Sequence, residues 1–178
     1  ISAYVRHDLR TYQMPDTLLN RGVASEYYNK QTNNNLYIGG QIKRSANNNL
    51  SFGANAESVI LGTYAGDFSL DGNLQYRFPL LNKFAIVGAN ARMSNLTPSY
   101  YYNHFHSTYC WWDLDLKREF VTRLEGNIEI EKTNTKMWVG VENKTNYTYL
   151  TNLGTGYTED GAILPTYNVK AYQHSGSI

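Results

Sequence analysis

The sequence has few of the features that mark disulfide-rich proteins or helical membrane proteins. It contains only one cysteine, Cys110, so an intrachain disulfide framework is excluded. Proline is also scarce, with four among 178 residues. No apolar run approaches the ~20 residues that a membrane-spanning helix requires. This absence does not exclude transmembrane strands, because alternating apolar and polar residues cancel in a hydropathy window.

An excess of charge of one sign is also missing. Lys and Arg number 16, Asp and Glu number 15, and the formal net charge is +1. The chain shows no basic cluster of the kind that nucleic-acid-binding proteins carry, so we expect no nucleic-acid partner. Tyrosine is abundant instead, with 16 residues, and aromatic residues are enriched in strands.

One segment, DFSLDGNLQYRF at residues 67–78, shows a strand-like alternation most clearly. Apolar or small residues occupy the even positions from Phe68 to Phe78, and polar residues occupy the odd positions from Ser69 to Arg77. Successive side chains of a strand point to opposite faces, so the segment has an apolar and a polar face. Its length suits a tilted transmembrane strand of about ten residues, with one face toward lipid and the other toward a lumen.

The pattern repeats, which predicts an all-β fold: an antiparallel transmembrane β-barrel segment of about eight or nine meandering strands. The predicted strands cover 2–12, 35–44, 50–60, 67–78, 84–94, 104–116, 120–131 and 136–150, and a ninth begins at 166. The facing of 84–94 stays open, because small or apolar residues occur on both parities. We expect residues 1–178 to form a single barrel segment, incomplete at both ends and part of a larger barrel.

The predicted connections alternate in length. Short turns are expected at 47–49, 79–83 and 133–135, and longer loops at 13–34, 95–103 and 151–165, with a short helix allowed at 16–19. Short turns on one rim and long loops on the other are typical of outer-membrane barrels. Aromatic residues near strand ends, such as Tyr76 and Tyr147, fit the aromatic belts of a membrane interface.

The two parities supply two sets of candidate functional residues. The predicted lumen-lining residues are Lys43, Glu57, Asp71, Arg77, Arg123, Glu125, Glu129, Glu131, Glu142 and Lys144. The predicted lipid-facing residues are Phe68, Leu70, Leu74, Tyr76, Leu124, Ile128 and Ile130. Charged side chains along a water-filled path would set its ion preference.

Three stretches resemble a known family. They are YAGDFSLDG at 64–72, PSYYYNHF at 98–105 and NYTYL at 146–150, followed by a return at Pro165. Over residues 35–178 the chain resembles the "putative porin" family of Bacteroidota outer membranes, whose members form large β-barrels. The resemblance implies an outer-membrane location and a porin-like passive channel or a barrel subunit of an envelope assembly. The implied partners are outer-membrane lipid, lipopolysaccharide and other envelope proteins, and no cofactor is implied.

A soluble secreted β-sandwich that binds glycans is the alternative. Its binding residues would be Trp111, Trp112, Trp138 and the tyrosine-rich loops. Each strand of a sandwich also has one dry face, so alternation alone does not separate the two folds. Strand length favours the membrane, since strands of soluble proteins usually run about 5–6 residues.

Two groups of side chains raise the question of catalysis or metal binding. Glu129 and Glu131 lie about 7 Å apart by strand rise, a separation that inverting glycosidases use. Carboxylates two residues apart on exposed strands are common, so we predict no enzyme. His104, His106 and Cys110 share a parity, but a structural zinc ion normally needs four ligands, so we predict no metal site.

Overall fold

The computed structural model describes residues 1–20, 23–46, 49–80, 82–106, 111–152 and 169–178, and within them the side chains other than those of 15–20, 23–29, 45, 46 and 111. These residues form ten strands and one short helix. The elements are β1 (Ser2–Asn20), β2 (Val23–Ala46), β3 (Leu50–Gly62), β4 (Phe68–Leu80), β5 (Lys83–Leu96), α1 (Tyr100–Asn103), β6 (His104–His106), β7 (Trp111–Asp113), β8 (Glu119–Ile130), β9 (Thr135–Asn152) and β10 (Val169–Ser177).

The prediction of an all-β, antiparallel meander is confirmed. Among the described residues, eight strands form one sheet in the order β1-β2-β3-β4-β5-β8-β9-β10, and β6 pairs with β7 in a separate hairpin. The strands of the sheet run from 9 residues in β10 to 24 in β2, well above the ~5–6 usual in soluble proteins. The sheet is open, with β1 and β10 as its described edges.

The strand register keeps two faces separate through the middle of the sheet, from β2 to β9. Directly paired residues of antiparallel strands share a face. One row on the apolar face runs through Ile42, Ala54, Gly72, Ala91, Leu124 and Val141. The adjacent row on the polar face runs through Gln41, Asn55, Asp71, Arg92, Arg123 and Glu142. The facing of β5 is thereby fixed: its odd positions join the apolar face and its even positions the polar face.

The apolar face has no second layer over it within the described ranges. Few apolar side chains of the described residues are buried on either side of the sheet: Met14, Val59, Ala85, Tyr100, Trp112 and Ala171. By contrast, Leu124 is 58% exposed and Val139 is 74% exposed. A sandwich would bury such residues under a second sheet about 10 Å away, so the described architecture differs from the sandwich alternative. No described helix has the length and hydropathy needed to cross a membrane.

The predicted loop at 13–34 and its optional helix at 16–19 are wrong. Residues of β1 and β2 pair without a break from Ser2↔Gln41 to Asn20↔Val23. A polar run can join a strand because the ladder uses only backbone groups, and side chains add contacts here: the Thr11 and Thr32 hydroxyls lie 3.3 Å apart. The hairpin projects past β3, whose pairing with β2 begins at Asn35↔Gly62.

The predicted strand at 104–116 is also wrong. Residues His104–His106 and Trp111–Asp113 are extended as expected, but the chain reverses between them and the two halves pair with each other. The reversal brings Phe105 and Trp112 into a stack with ring centroids 4.8 Å apart. Strand β8 takes the place beside β5, so residues 97–118 form an insert between two strands of the sheet. Residues 107–110 of this insert, including Cys110, lie outside the described ranges.

The predicted short turns all lie on one rim of the sheet. One rim carries short connections at 47–49, 81–82 and 131–134. Asn82 and Asn134 adopt positive φ values of 65° and 52° there, which asparagine tolerates and tight hairpins require. The other rim carries the projecting β1–β2 hairpin, the turn 63–67, the insert and the connection 153–168. That last connection, with the predicted start of a strand at 166, lies outside the described residues.

Candidate functional site: the polar face and its insert

The predicted lumen-lining residues lie together on the polar face or at its margin. Paired positions place all of them except Glu131 within strands of that face. Glu131 follows β8, and its Oε2 accepts a hydrogen bond from the Phe84 backbone N–H at 3.2 Å. The predicted lipid-facing residues all lie on the opposite face. Contact of either face with a lumen or with lipid stays a prediction.

Opposite charges alternate across β8 and β9. The Arg123 guanidinium contacts the Glu125 carboxylate and lies 3.4 Å from Glu142 Oε2. Lys144 Nζ lies 3.2 Å from the other oxygen of Glu142. These groups are exposed to solvent, and exposed ion pairs contribute little to stability. Their main effect is therefore on the electrostatic field above the sheet.

The same alternation continues toward other strands. Arg92 Nε of β5 lies 3.4 Å from Asp71 Oδ1 of β4, and Lys136 Nζ of β9 lies 2.9 Å from Glu129 Oε1 of β8. Arg77 stands apart, with its guanidinium 4.0 Å from the centre of the Phe84 ring. Cations and anions are thus interleaved on the polar face.

Sequence reasoning missed the contribution of β1 to this face. Arg6 Nη2 lies 2.7 Å from Glu57 Oε1, and the Tyr4 hydroxyl donates to Glu57 Oε2 at 2.9 Å. The Arg6 guanidinium also lies 3.8 Å from the centre of the Tyr37 ring. The run of polar residues at even positions from Ser2 to Tyr12 was the available signal, and the mixed odd positions obscured it.

Glycines on the polar face make room for large polar neighbours. The Asn73 side chain lies over Gly53 of the adjacent strand, and the Asn127 side chain lies over Gly88. A Cβ atom at either glycine would collide with the amide. Around Asn73 the face holds a depression of 690 Å³, and its lining includes Lys43, Asn55, Asp71, Arg92, Arg123 and Glu125.

The insert lies on the polar side of the sheet. The ring of Tyr100 in α1 stacks on Tyr12 of β1 at 4.3 Å, and Tyr101 meets the same ring edge-on at 5.6 Å. Tyr12 belongs to the polar parity of β1. At the other edge of the sheet, Gln173 of β10 accepts from the Lys117 N–H at 2.9 Å and donates to the Lys117 carbonyl at 2.6 Å. The insert therefore contacts both described edge strands of the sheet.

A buried carboxylate anchors the insert to the rim. Asp67, only 5% exposed, accepts hydrogen bonds from the Thr97 N–H and hydroxyl at 2.8 Å each. Arg118 Nε donates to Asp67 Oδ1 at 2.9 Å. Beside it, the Asn33 amide donates to the Tyr64 hydroxyl at 2.8 Å, and burial raises the pKa of Tyr64 to about 12. Both ends of the insert are thus tied to the turn between β3 and β4.

The hairpin of the insert brings two histidines and a carboxylate together. His104 and Asp113 are direct cross-strand partners, and the His104 Nδ1 contacts Asp113 Oδ1. His106 Nε2 lies 3.1 Å from each oxygen of Asp113. The sequence pattern places the histidines on one parity with Cys110 instead, because it does not reveal the chain reversal between β6 and β7.

The other residues considered for binding or catalysis do not converge. Trp112 is buried against Phe105, whereas Trp138 is 82% exposed on the polar face; the Trp111 side chain lies outside the described set. Glu129 is paired with Lys136, and Glu131 accepts from a backbone N–H. Each carboxylate thus has its own partner.

The comparisons with known proteins agree with this architecture. A family model described as "Putative porin" matches residues 1–178, the whole chain, so the resemblance over 35–178 is confirmed and also extends through β1 and the start of β2. No curated protein and no solved structure matches the chain. The chain belongs to the putative porin family.

Proposed function

We propose that the protein is a porin-like passive channel of the bacterial outer membrane. Its polar face lines an aqueous lumen and its apolar face contacts lipid, including the acyl chains of lipopolysaccharide. Solutes diffuse along the polar face without covalent chemistry, and the interleaved charges give only a weak preference for one sign of ion.

One observation carries the proposal: a single wide sheet exposes large apolar side chains on one face and ion pairs on the other. Val139 and Val141 are 74% and 65% exposed, whereas a soluble monomer rarely leaves a large contiguous apolar surface uncovered. Lipid is the solvent that covers such a band in outer-membrane barrels. Family membership supports the same location at a coarser level.

The insert would narrow the channel. It lies on the polar side and is tied to β1 through Tyr12 and to β10 through Gln173. A segment held across the water-filled side of a barrel restricts the passage of solutes by size. The alternating charges of Arg123, Glu125 and Glu142 line the wall below it.

Additional strands would close the barrel. In lipid, unpaired backbone groups along the edges β1 and β10 would cost several kcal/mol each. An eight-stranded barrel has an interior that side chains alone fill, which leaves no room for an insert. A wider barrel is therefore required, and intact mass spectrometry of the natural protein should give a mass above the 20.3 kDa of these residues.

Conductance in planar bilayers tests the channel directly. Detergent-extracted protein should produce stepwise current increments with similar permeability for potassium and chloride. The absence of current steps from folded, membrane-inserted protein would refute the channel while leaving the barrel intact.

Neighbouring residues on opposite faces provide the matched pair of variants. Asn90 and Ala91 are both exposed, and Asn90 lies on the polar face and Ala91 on the apolar face. Asn90→Trp should lower the unit conductance, because it places an indole in the lumen. Ala91→Trp should leave it unchanged, since tryptophan at that position faces lipid.

A further inference from the structure

We propose that His104, His106 and Asp113 bind a divalent transition-metal ion of the zinc type on the β6–β7 hairpin. One ligand atom from each residue lies within 4.8 Å of the other two. The prediction of no metal site relied on too few ligands, and the fold adds Asp113 to the pair of histidines. We therefore revise that prediction.

The hairpin register explains why the three side chains converge. His104 and His106 are two residues apart on β6, so they point to the same face. Asp113 is paired directly with His104 across the hairpin, and cross-strand partners share a face. The two imidazole rings are 4.1 Å apart between centroids, and the carboxylate reaches both.

The two histidines are built into the insert, and Asp113, whose side chain is 47% exposed, forms the outer side of the site. The His106 side chain is 6% exposed and that of His104 is 21% exposed. The His104 ring lies 5.4 Å from that of Tyr100, which also stacks on Tyr12 of the sheet. Trp112 fixes the opposite side of the hairpin. Its ring stacks on Phe105, and its indole N–H donates to the Tyr102 carbonyl at 3.1 Å.

The ligand set selects the kind of metal. Imidazole nitrogens suit zinc, copper, nickel and iron, whereas calcium and magnesium prefer oxygen ligands. Three protein ligands leave at least one coordination position for water or a solute group, as in open zinc sites. A cavity of 320 Å³ lined by His104, Asp113, Asn103 and Asp115 adjoins the cluster and has room for such a group.

The distances need only a small adjustment. Ligand atoms at about 2.1 Å from a tetrahedral ion are about 3.4 Å from one another. His106 Nε2 and Asp113 are already 3.1 Å apart. Ligand atoms that are separated by as much as 4.8 Å need to approach by about 1.4 Å, which side-chain rotation allows. Without metal, the same carboxylate accepts hydrogen bonds from the rings, which keeps the ligands close together.

Calorimetric titration of the full chain with zinc chloride tests the site. The protein is purified in detergent with an affinity tag that contains no histidine. We expect one zinc ion per chain, and His104→Ala and His106→Ala should each weaken binding by at least about tenfold. Asp113→Asn should also weaken binding while preserving the size of the side chain, so it tests the site even if a histidine variant misfolds.

The sequence offers a matched control. It contains four histidines, and the other two, His7 and His174, lie outside the cluster in β1 and β10. The double variant His7→Ala/His174→Ala should bind zinc like the unaltered protein. An absence of zinc binding, equal losses in the control, or binding lost only in Cys110→Ser would each overturn the assignment.

The metal site does not require the channel to conduct. Binding is measured directly, so a protein that binds zinc without current steps would disprove the channel and keep the site. The reverse result, current without zinc binding, would disprove the site and keep the channel.

Discussion

Leu124→Arg is the substitution that most clearly separates a lipid-facing surface from a water-exposed one. Leu124 belongs to the apolar row and lies at the middle of β8, five residues after Glu119 and six before Ile130. With a rise of ~3.3 Å per residue and a tilt of about 40°, it would lie about 13–15 Å from either end of the strand along the membrane normal. That depth is close to the bilayer midplane.

The expected destabilisation follows from this depth. Arginine at the midplane of a barrel surface costs about 2–4 kcal/mol, falling to about 0–1 kcal/mol near the interfaces. Leu124 is 58% exposed in the isolated chain, and a substitution on a water-exposed surface usually changes stability by only about 0.5 kcal/mol. The loss of stability expected for Leu124→Arg is thus several times larger if Leu124 faces lipid than if it faces water.

Equilibrium unfolding in urea, with the protein inserted in phospholipid vesicles, measures the difference. Asn90→Arg is the control, because Asn90 is exposed at the middle of the polar face. We expect Leu124→Arg to lower the free energy of unfolding by about 2–4 kcal/mol and the control to change it by about 0.5 kcal/mol or less. Equal effects of the two arginines would refute the lipid-facing assignment of the apolar face.

Four further predictions concern the polar face and the rim. Arg123→Gln should shift the reversal potential toward cation preference, since two glutamates lose a cation, and should leave stability almost unchanged because these ion pairs are exposed to solvent. Asp67→Asn should destabilise the insert by about 1–3 kcal/mol and speed its cleavage by added protease. Burial raises the pKa of Tyr64 to about 12 from 10.0; because the folded state holds its proton more tightly, the free energy of unfolding should fall between pH 10 and 12, and Tyr64→Phe should remove that part of the slope in urea titrations. Gly88→Ala should cost about 1 kcal/mol or less, because the atoms it meets are the terminal amide of Asn127, which can move aside, and adding Asn127→Ala should remove that cost.

The alternation of apolar and polar residues correctly predicted the strands whose two-residue period is regular within a single segment. Phe68 to Phe78 and Phe120 to Ile130 have strict two-residue periods, and both strands appear with boundaries shifted by one or two residues. The same parity placed Arg123 and Glu125 on one face and Leu124 on the other. Period is a local property, so a single segment carries enough information to assign its faces.

Features of the fold that depend on pairing between distant segments could not be predicted from the alternation of residues. The polar residues before Asn35 resemble a loop by composition, but their backbone ladder with β1 makes them a strand. The approach of Asp113 to His104 depends on a chain reversal, and the bond between Asp67 and Arg118 joins residues 51 positions apart. Asn146 adopts a φ of 60°, which interrupts the alternation of β9 and brings Lys144 within 5.4 Å of the Tyr147 ring centre.

A cysteine scan along residues 68–78 tests most directly whether the two faces meet lipid and water. In a Cys110→Ser background, each position would be replaced by cysteine and labelled with a fluorophore. Quenching would then be measured in vesicles that contain brominated lipid. We predict strong quenching at Leu70 and Leu74 and weak quenching at Asp71 and Asn73, with a period of two. Uniform quenching, or none at the even positions, would contradict the assignment of this sheet to a membrane.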